Sequence, residues 1–325
     1  VKVLKCSFTA NATGDGVIFN EDSESNAVTL TRETVEENPI HTHKVLTTSG
    51  GAKVGYLLFN QFKRGYDETD LANSDEYEQQ LRTVFSEFKS AGVDELVLDL
   101  RYNPGGYVST AQLLSSLIAP SSKLGTKWLE CRPNASRKST WYNLLEASEV
   151  SNCNLSLDRL YVIASASSAS CSELMINNLR ALDVEVIHIG STTEGKVVGM
   201  EVIDHLFNST DKAIFGNYQY TLHPVSFRSY DAKGTSDYGN GLKPNHFYDE
   251  YMDENSLRWI EWGELGSASE PMLAIALAKI DGVATTQVAS LAKPIDVGAV
   301  ECDNSLLHNG LRGTIVAPTD NNYTE

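Results

Sequence analysis

Positive charge is scarce in this chain. Lys and Arg number 26 against 43 Asp and Glu, for a formal net charge of −17. A general nucleic-acid binder needs a basic face to displace counterions, and adhesion to anionic membranes needs polybasic segments. The charge balance excludes both as default roles. No apolar run reaches the ~18 residues of a membrane-spanning helix, so no membrane insertion is expected of this chain. It has no initiating Met and no signal-peptide pattern. Val1 opens within strand-like sequence, so the chain reads as processed or trimmed. The five cysteines (Cys6, Cys131, Cys153, Cys171 and Cys302) contain no C-x-x-C, which leaves a zinc ribbon or thioredoxin motif without its ligands. They read as buried thiols, although Cys131 and Cys153 bracket a polar stretch and could pair in an oxidising compartment. The seven His residues contain no H-E-x-x-H, and no Gly-x-Ser-x-Gly elbow is present. His188 lies in a strand-like run and reads as a packed core residue.

What is present is an alternation of strands and helices. At 325 residues and 41% hydrophobic content a packed core is expected, with about two domains by length. Residues 1–50 are polar and strand-poor, apart from a candidate strand at Ala27 to Arg32. The Gly-rich break Ser49-Gly50-Gly51 is where we expect a boundary. Beyond it, Val54 to Phe59 and Leu96 to Leu100 read as buried strands. Leu160 to Ala164 and Val184 to Ile189 read the same way. Tyr77, Leu81, Val84, Phe85 and Phe88 recur at helical spacing behind a cap at Ser74 or Asp75. A second helix carries Leu113, Leu114, Leu117 and Ile118 and stops at Pro120. A third carries Leu174, Met175, Leu179 and Leu182, and a late one runs from Met272 to Ile280. Residues 121–158 read as a polar insertion around Trp128 and Trp141. The tail after Gly282 is weakly patterned. The fold class is therefore α/β, with a largely parallel sheet and helices on its faces.

Three segments could carry chemistry. After the strand Leu160–Ala164 comes Ser165-Ala166-Ser167-Ser168-Ala169-Ser170-Cys171-Ser172-Glu173. A small-residue run between a strand and a helix sets a hydroxyl at a helix N-terminus, where free N–H groups face a developing negative charge. By composition alone it is equally a Ser-rich loop with an N-cap. Asp99-Leu100-Arg101-Tyr102-Asn103-Pro104-Gly105-Gly106 ends a strand in a tight turn with bare backbone N–H groups. It is either an ordinary turn or an oxyanion hole. Lys196, in Glu194-Gly195-Lys196-Val197-Val198-Gly199-Met200, precedes apolar residues. A lysine packed in an apolar pocket loses its proton more readily and can act as a base; a surface lysine does not.

The order of these segments resembles the tail-specific, or C-terminal processing, serine peptidases of the S41 type. That family runs Gly-Tyr-Leu, Asp-Leu-Arg-x-Asn-Pro-Gly-Gly, Ser-Ala-Ser-Ala-Ser-Glu, Gly-Lys and later Gly-Ile-x-Pro-Asp. Here stand Gly55-Tyr56-Leu57, Asp99 to Gly106, Ser168 to Glu173, Gly195-Lys196 and Gly241-Leu242-Lys243-Pro244-Asn245. The resemblance covers roughly residues 50–280. It implies a crotonase/ClpP-like core of sheet and helices, with a partial N-terminal β module that is a PDZ remnant. The domains would be residues 1–50 for that module, 51–282 for the Ser-Lys peptidase core and 283–325 for an unassigned extension. It implies a serine endopeptidase acting on C-terminal or loosely folded regions of polypeptides, with no metal or organic cofactor. Ser170 would be the nucleophile and Lys196 the general base. The N–H groups of Cys171 and of Gly105 or Gly106 would be the oxyanion donors. It further implies a bacterial cell-envelope protein, periplasmic or exported.

Four departures qualify this expectation. Cys171 replaces a small Ala and opens a rival reading as a cysteine nucleophile. Ser170 and Lys196 are 26 positions apart, one more than in the best-known members. Met200 stands where many members carry a Gln that orients the lysine, which leaves Glu173 and Glu194 as candidates for that task. Only 54 residues precede Gly55, where the family usually carries a PDZ domain that binds the substrate C-terminus as an added strand. The alternative function is a catalytically inactive member of the same fold that binds a peptide or apolar ligand in the cleft.

Overall fold

The computed structural model describes residues 37–66, 74–134, 139–201, 223–250 and 263–283, together with short backbone stretches near the N-terminus and at 252–253 and 258–259. The chain divides into two units. One takes Val1–Glu37, Tyr251–Glu261 and Lys293–Glu325; the other takes Asn38–Glu250 and Trp262–Ala292. In the first unit, β1 (Lys2–Val3) pairs with β4 (Val28–Thr29), and β2 (Cys6–Ala10) with β3 (Val17–Glu21), all antiparallel. The expected strand near Ala27 is thus present at its centre. Residues 1–50 are not strand-poor, because β2 and β3 form a hairpin of five residue pairs.

The larger unit is built on a six-stranded sheet. Its strands are β5 (Ile40–Thr47), β6 (Lys53–Phe59), β7 (Glu95–Asp99), β10 (Arg159–Ala164), β11 (Glu185–Gly190) and β14 (His246–Phe247). They lie in the order β14-β11-β10-β7-β6-β5. All neighbouring pairs are parallel except β5 with β6. Ser49-Gly50-Gly51 is therefore the turn of the β5–β6 hairpin rather than a break between modules. The mixed α/β architecture is the expected one.

Alternation along the strands separates two cores. Leu57, Phe59, Leu96, Leu98, Leu160 and Val162 point to one face, where α1 (Glu76–Ala91), α2 (Val108–Ile118) and α3 (Cys171–Ala181) cover them. Tyr56, Leu58, Val97, Tyr161 and Ile163 point to the other, under α4 (Pro271–Ile280). The buried stripe of α1 is Tyr77, Leu81, Val84, Phe85 and Phe88, at the spacing a helix needs to bury one face. Pro120 follows the end of α2, as expected, because proline cannot continue the hydrogen-bond ladder.

Residues 121–158 differ from the polar insertion expected. They supply β8 (Lys127–Pro133) and β9 (Trp141–Leu144) to a four-stranded antiparallel sheet with β12 (Val198–Met200) and β13 (Val225–Asp231), in the order β12-β13-β8-β9. Trp128 is wholly buried in the first core. The remaining strand pair is β15 (Met252–Asp253) with β16 (Arg258–Trp259). Among the described residues no helix is long and apolar enough to cross a membrane. The proposed 283–325 extension lies outside the described residues beyond Val283, as does Cys302.

Candidate active site

Three chain segments converge at the C-terminal ends of β7, β10 and β11. In α/β sheets these ends and the helix N-termini beyond them form natural binding crevices. The first segment follows β7. Asn103 organises it: its Nδ2 donates to the Phe59 carbonyl at 2.8 Å and its Oδ1 accepts the Gly105 N–H at 2.9 Å. This side-chain turn, with Pro104 behind it, holds the Asn-Pro-Gly-Gly loop open. Gly105 has φ +109, and a Cβ placed on it would lie 2.7 Å from the Ser170 Cβ. Only glycine allows the loop to approach Ser170 so closely.

The second segment leads from β10 into α3. Three of its hydroxyls are committed to main-chain carbonyls: Ser165 to Arg101 O at 2.5 Å, Ser168 to Leu100 O at 2.7 Å and Ser172 to Asn103 O at 2.8 Å. These bonds fasten the run to the loop after β7. Ser170 makes no such bond. It is half-buried at the N-cap of α3, with φ 55 and ψ −113, a backbone conformation that L-residues rarely adopt. Strain of this kind costs of order 1–3 kcal/mol and persists only where surrounding contacts impose it. The N–H groups of Cys171 and Gly106 have no hydrogen-bond partner among the described residues, whereas that of Gly105 is engaged by Asn103.

Cys171 is buried, and its thiol donates to the Gly106 carbonyl at 3.1 Å. Burial pushes the thiol pKa up to about 12, against smaller lowering effects from the Gly106 bond and the nearby Lys196 charge. A thiol is a nucleophile only as thiolate, so burial and the bond to Gly106 weigh against the cysteine-nucleophile reading. Cys131 and Cys153 are both free buried thiols, so the pairing considered for them is absent.

The third segment follows β11 and carries Lys196. The junction of all three is Glu173, fully buried in the first turn of α3. Its Oε2 accepts the N–H of Ser170 at 3.0 Å and of Lys196 at 2.8 Å. Its Oε1 accepts the Gly195 N–H at 2.6 Å and the Thr193 hydroxyl at 2.5 Å. A buried carboxylate with four donors is fully satisfied, and charge-assisted bonds of this kind are about twice as strong as neutral ones. Glu173 thus holds the main chain of Lys196. Among the described residues the Lys196 ammonium forms no ion pair with a carboxylate, and Glu194 is exposed. Met200 is 42% exposed at the end of β12.

Behind the loop lies a buried ionic cluster. The Arg101 guanidinium donates to both oxygens of Asp99 (2.7 and 3.0 Å) and both of Glu270 (2.9 and 3.0 Å). Tyr56 donates to Asp99 at 2.8 Å, and Tyr102 to Glu250 at 3.1 Å. Glu270 also accepts the Leu273 N–H and caps α4. Burial alone would lower the Arg101 pKa; the Asp99 charge and the bonds to Glu270 and Asp99 outweigh it, so the guanidinium is held above its ordinary range. The Asp-Leu-Arg of the motif is therefore scaffold beneath the loop. His188 is also structural: burial lowers its pKa to about 4, and its ring lies 3.3 Å from the Ala164 carbonyl.

Residues 53–245 match the family model described as Peptidase family S41. The chain belongs to this family of serine-type peptidases. The S41 match contains all three site segments. A carboxyl-terminal-processing protease of Picosynechococcus sp. is 26% identical over 200 residues, which cover 60% of this chain and 41% of the relative. The crystal structure of a protein assigned as an S41 protease from Bacteroides fragilis NCTC 9343 superposes with a TM-score of 0.68 at 27% identity, covering 86% of this chain and 66% of that one. The chain thus spans less than two thirds of either relative.

The three segments are accompanied by groups that the sequence did not single out. Asn103 carried a signal, since Asn before Pro-Gly-Gly favours a side-chain turn. Ser229 and Tyr238, whose hydroxyls meet beside Val197, carried none, because they come from a strand and turn far along the chain.

Proposed function

We propose that this chain is a serine endopeptidase that hydrolyses peptide bonds through an acyl-enzyme on Ser170, with Lys196 as general base. The observation that carries the reading is the shared carboxylate: the N–H groups of Ser170 and Lys196 both donate to Glu173 Oε2. The strained backbone of Ser170 supports it further. Lys196, as the neutral amine, takes the hydroxyl proton while Ser170 Oγ bonds to the scissile carbonyl carbon. The resulting oxyanion accepts from the N–H groups of Gly106 and Cys171, at the positive end of α3. Collapse expels the amine, which takes the proton from Lys196. Water then attacks the ester, again through Lys196, and releases the acid.

The substrates in this reading are polypeptides cut at C-terminal or loosely folded regions. Its support is the S41 relative named for carboxyl-terminal processing. A bacterial cell-envelope setting and the partial N-terminal β module belong to the same proposal. The test is cleavage of a disordered protein with an apolar C-terminal tail, read by mass spectrometry. Cleavage by the parent and none by folded Ser170→Ala and Lys196→Ala is expected. An inert parent that binds the same peptide as tightly as both variants would establish the binding-module alternative instead.

A further inference from the structure

The segment carrying Lys196 is anchored on both sides. Glu173 holds it at the Lys196 N–H. On the other side the Val197 carbonyl accepts two hydrogen bonds from Ser229 on β13, one from its N–H and one from its hydroxyl, both at 3.0 Å. The Ser229 oxygen lies 2.8 Å from the Tyr238 hydroxyl. Ser229 has one hydroxyl proton, and Val197 takes it, so Tyr238 is the donor to Ser229. Both side chains are buried. The turn that begins at Tyr238 packs directly on the same segment. A Cβ on Gly195 would meet the Gly239 carbonyl oxygen at 2.6 Å, and the Thr193 hydroxyl accepts the Leu242 N–H at 2.7 Å.

We infer that Tyr238 and Ser229 are positioning residues for Lys196, acting through the chain Tyr238 O–H to Ser229 O–H to the Val197 carbonyl. This rests on the reading of Lys196 as the base. Met200 is 42% exposed and has no polar atom capable of the strong hydrogen bond a Gln would give. The buried hydroxyl pair instead fixes the backbone from which the lysine projects. A base moved by a fraction of an ångström loses its alignment with the attacking hydroxyl, and misplacement by about 1 Å costs about 10²-fold.

The test uses the full chain as parent, Tyr238→Phe, Ser229→Ala and the double variant, with two readouts. Lys196 labelling by formaldehyde and borohydride is followed by peptide mass spectrometry and expressed relative to Lys233 in the same sample. The relative rate is expected to change several-fold in each single variant and no further in the double. Peptide turnover is expected to fall roughly 5- to 50-fold in kcat with KM within about twofold, again without further loss in the double. An unchanged Lys196 rate, a parallel rise at Lys196 and Lys233, or multiplying effects in the double variant would overturn the inference. If no Ser170-dependent turnover occurs but the labelling changes as stated, the peptidase reading fails and the positioning role stands.

Discussion

Ser170 and Lys196 donate their backbone N–H groups to a single oxygen, Oε2 of Glu173, at 3.0 and 2.8 Å. Two residues 26 positions apart are thereby held by one buried carboxylate. The neutral isostere cannot replace it. Glu173→Gln would turn an NH₂ group toward donors already aimed at an acceptor. Activity is expected to fall about 10²-fold or more, because the site's geometry loosens by a fraction of an ångström. Steady-state kinetics with a folding check by circular dichroism measures it.

Gly105→Ala tests the close approach of the two loops. The added Cβ would meet Ser170 Cβ at 2.7 Å and adopt φ +109. The strain is of order 1–3 kcal/mol. A lowered urea midpoint and loss of most turnover are expected; wild-type kinetics would show that the loop shifts freely.

Acid stability should depend on His188. In the folded chain burial keeps it neutral to about pH 4, while the unfolded chain takes up a proton below its ordinary pKa of 6.5. Stability from this group is therefore present above pH 6.5 and is lost as pH falls to about 4. The full loss is on the order of 3 kcal/mol. Urea midpoints between pH 7 and 4 should fall less steeply in His188→Asn than in the parent.

Thiol reagents should spare the native enzyme. Burial pushes the Cys171 thiol to about 12, so at pH 8 almost none is thiolate. Iodoacetamide at pH 8 should leave turnover unchanged and Cys171 unmodified by peptide mapping. Rapid inactivation through Cys171 would contradict the buried thiol–carbonyl bond to Gly106.

The cluster beneath the loop is strongly coupled. Arg101→Met would leave Asp99 and Glu270 buried without their cation. The expected cost is about 3–5 kcal/mol, the usual penalty for removing one partner of a buried ion pair. Chemical denaturation measures it directly.

The elements with one-sided burial were legible from the chain alone. The stripe of α1 and the apolar strands β6, β7 and β10 follow from spacing because each packs on a core. The β5 strand was not, since Ile40–Thr47 buries alternate residues only partly and carries His41, His43 and Lys44. The second sheet was missed for a different reason. Its β8 pairs with β13 almost a hundred positions later, Cys131 opposite Ser229, and no local pattern announces such a pairing. At the site, the small-residue run and the glycine turn showed where a hydroxyl and bare N–H groups gather. That Ser165, Ser168 and Ser172 give their hydroxyls to main-chain carbonyls, and so serve to fasten the run, emerged only from the structure. Glu173 was one of two candidates to orient the lysine; it caps α3 through the Ser170 N–H and holds the Lys196 main chain, but its bonds to Thr193, Gly195 and Lys196 depend on the return of the chain after β11.

The most direct measurement is reaction with a fluorophosphonate, followed by intact mass and peptide mapping. The account predicts one adduct, on Ser170, formed by the parent and suppressed in Lys196→Ala. An adduct on another serine, or one on Ser170 formed at an undiminished rate without Lys196, would contradict it.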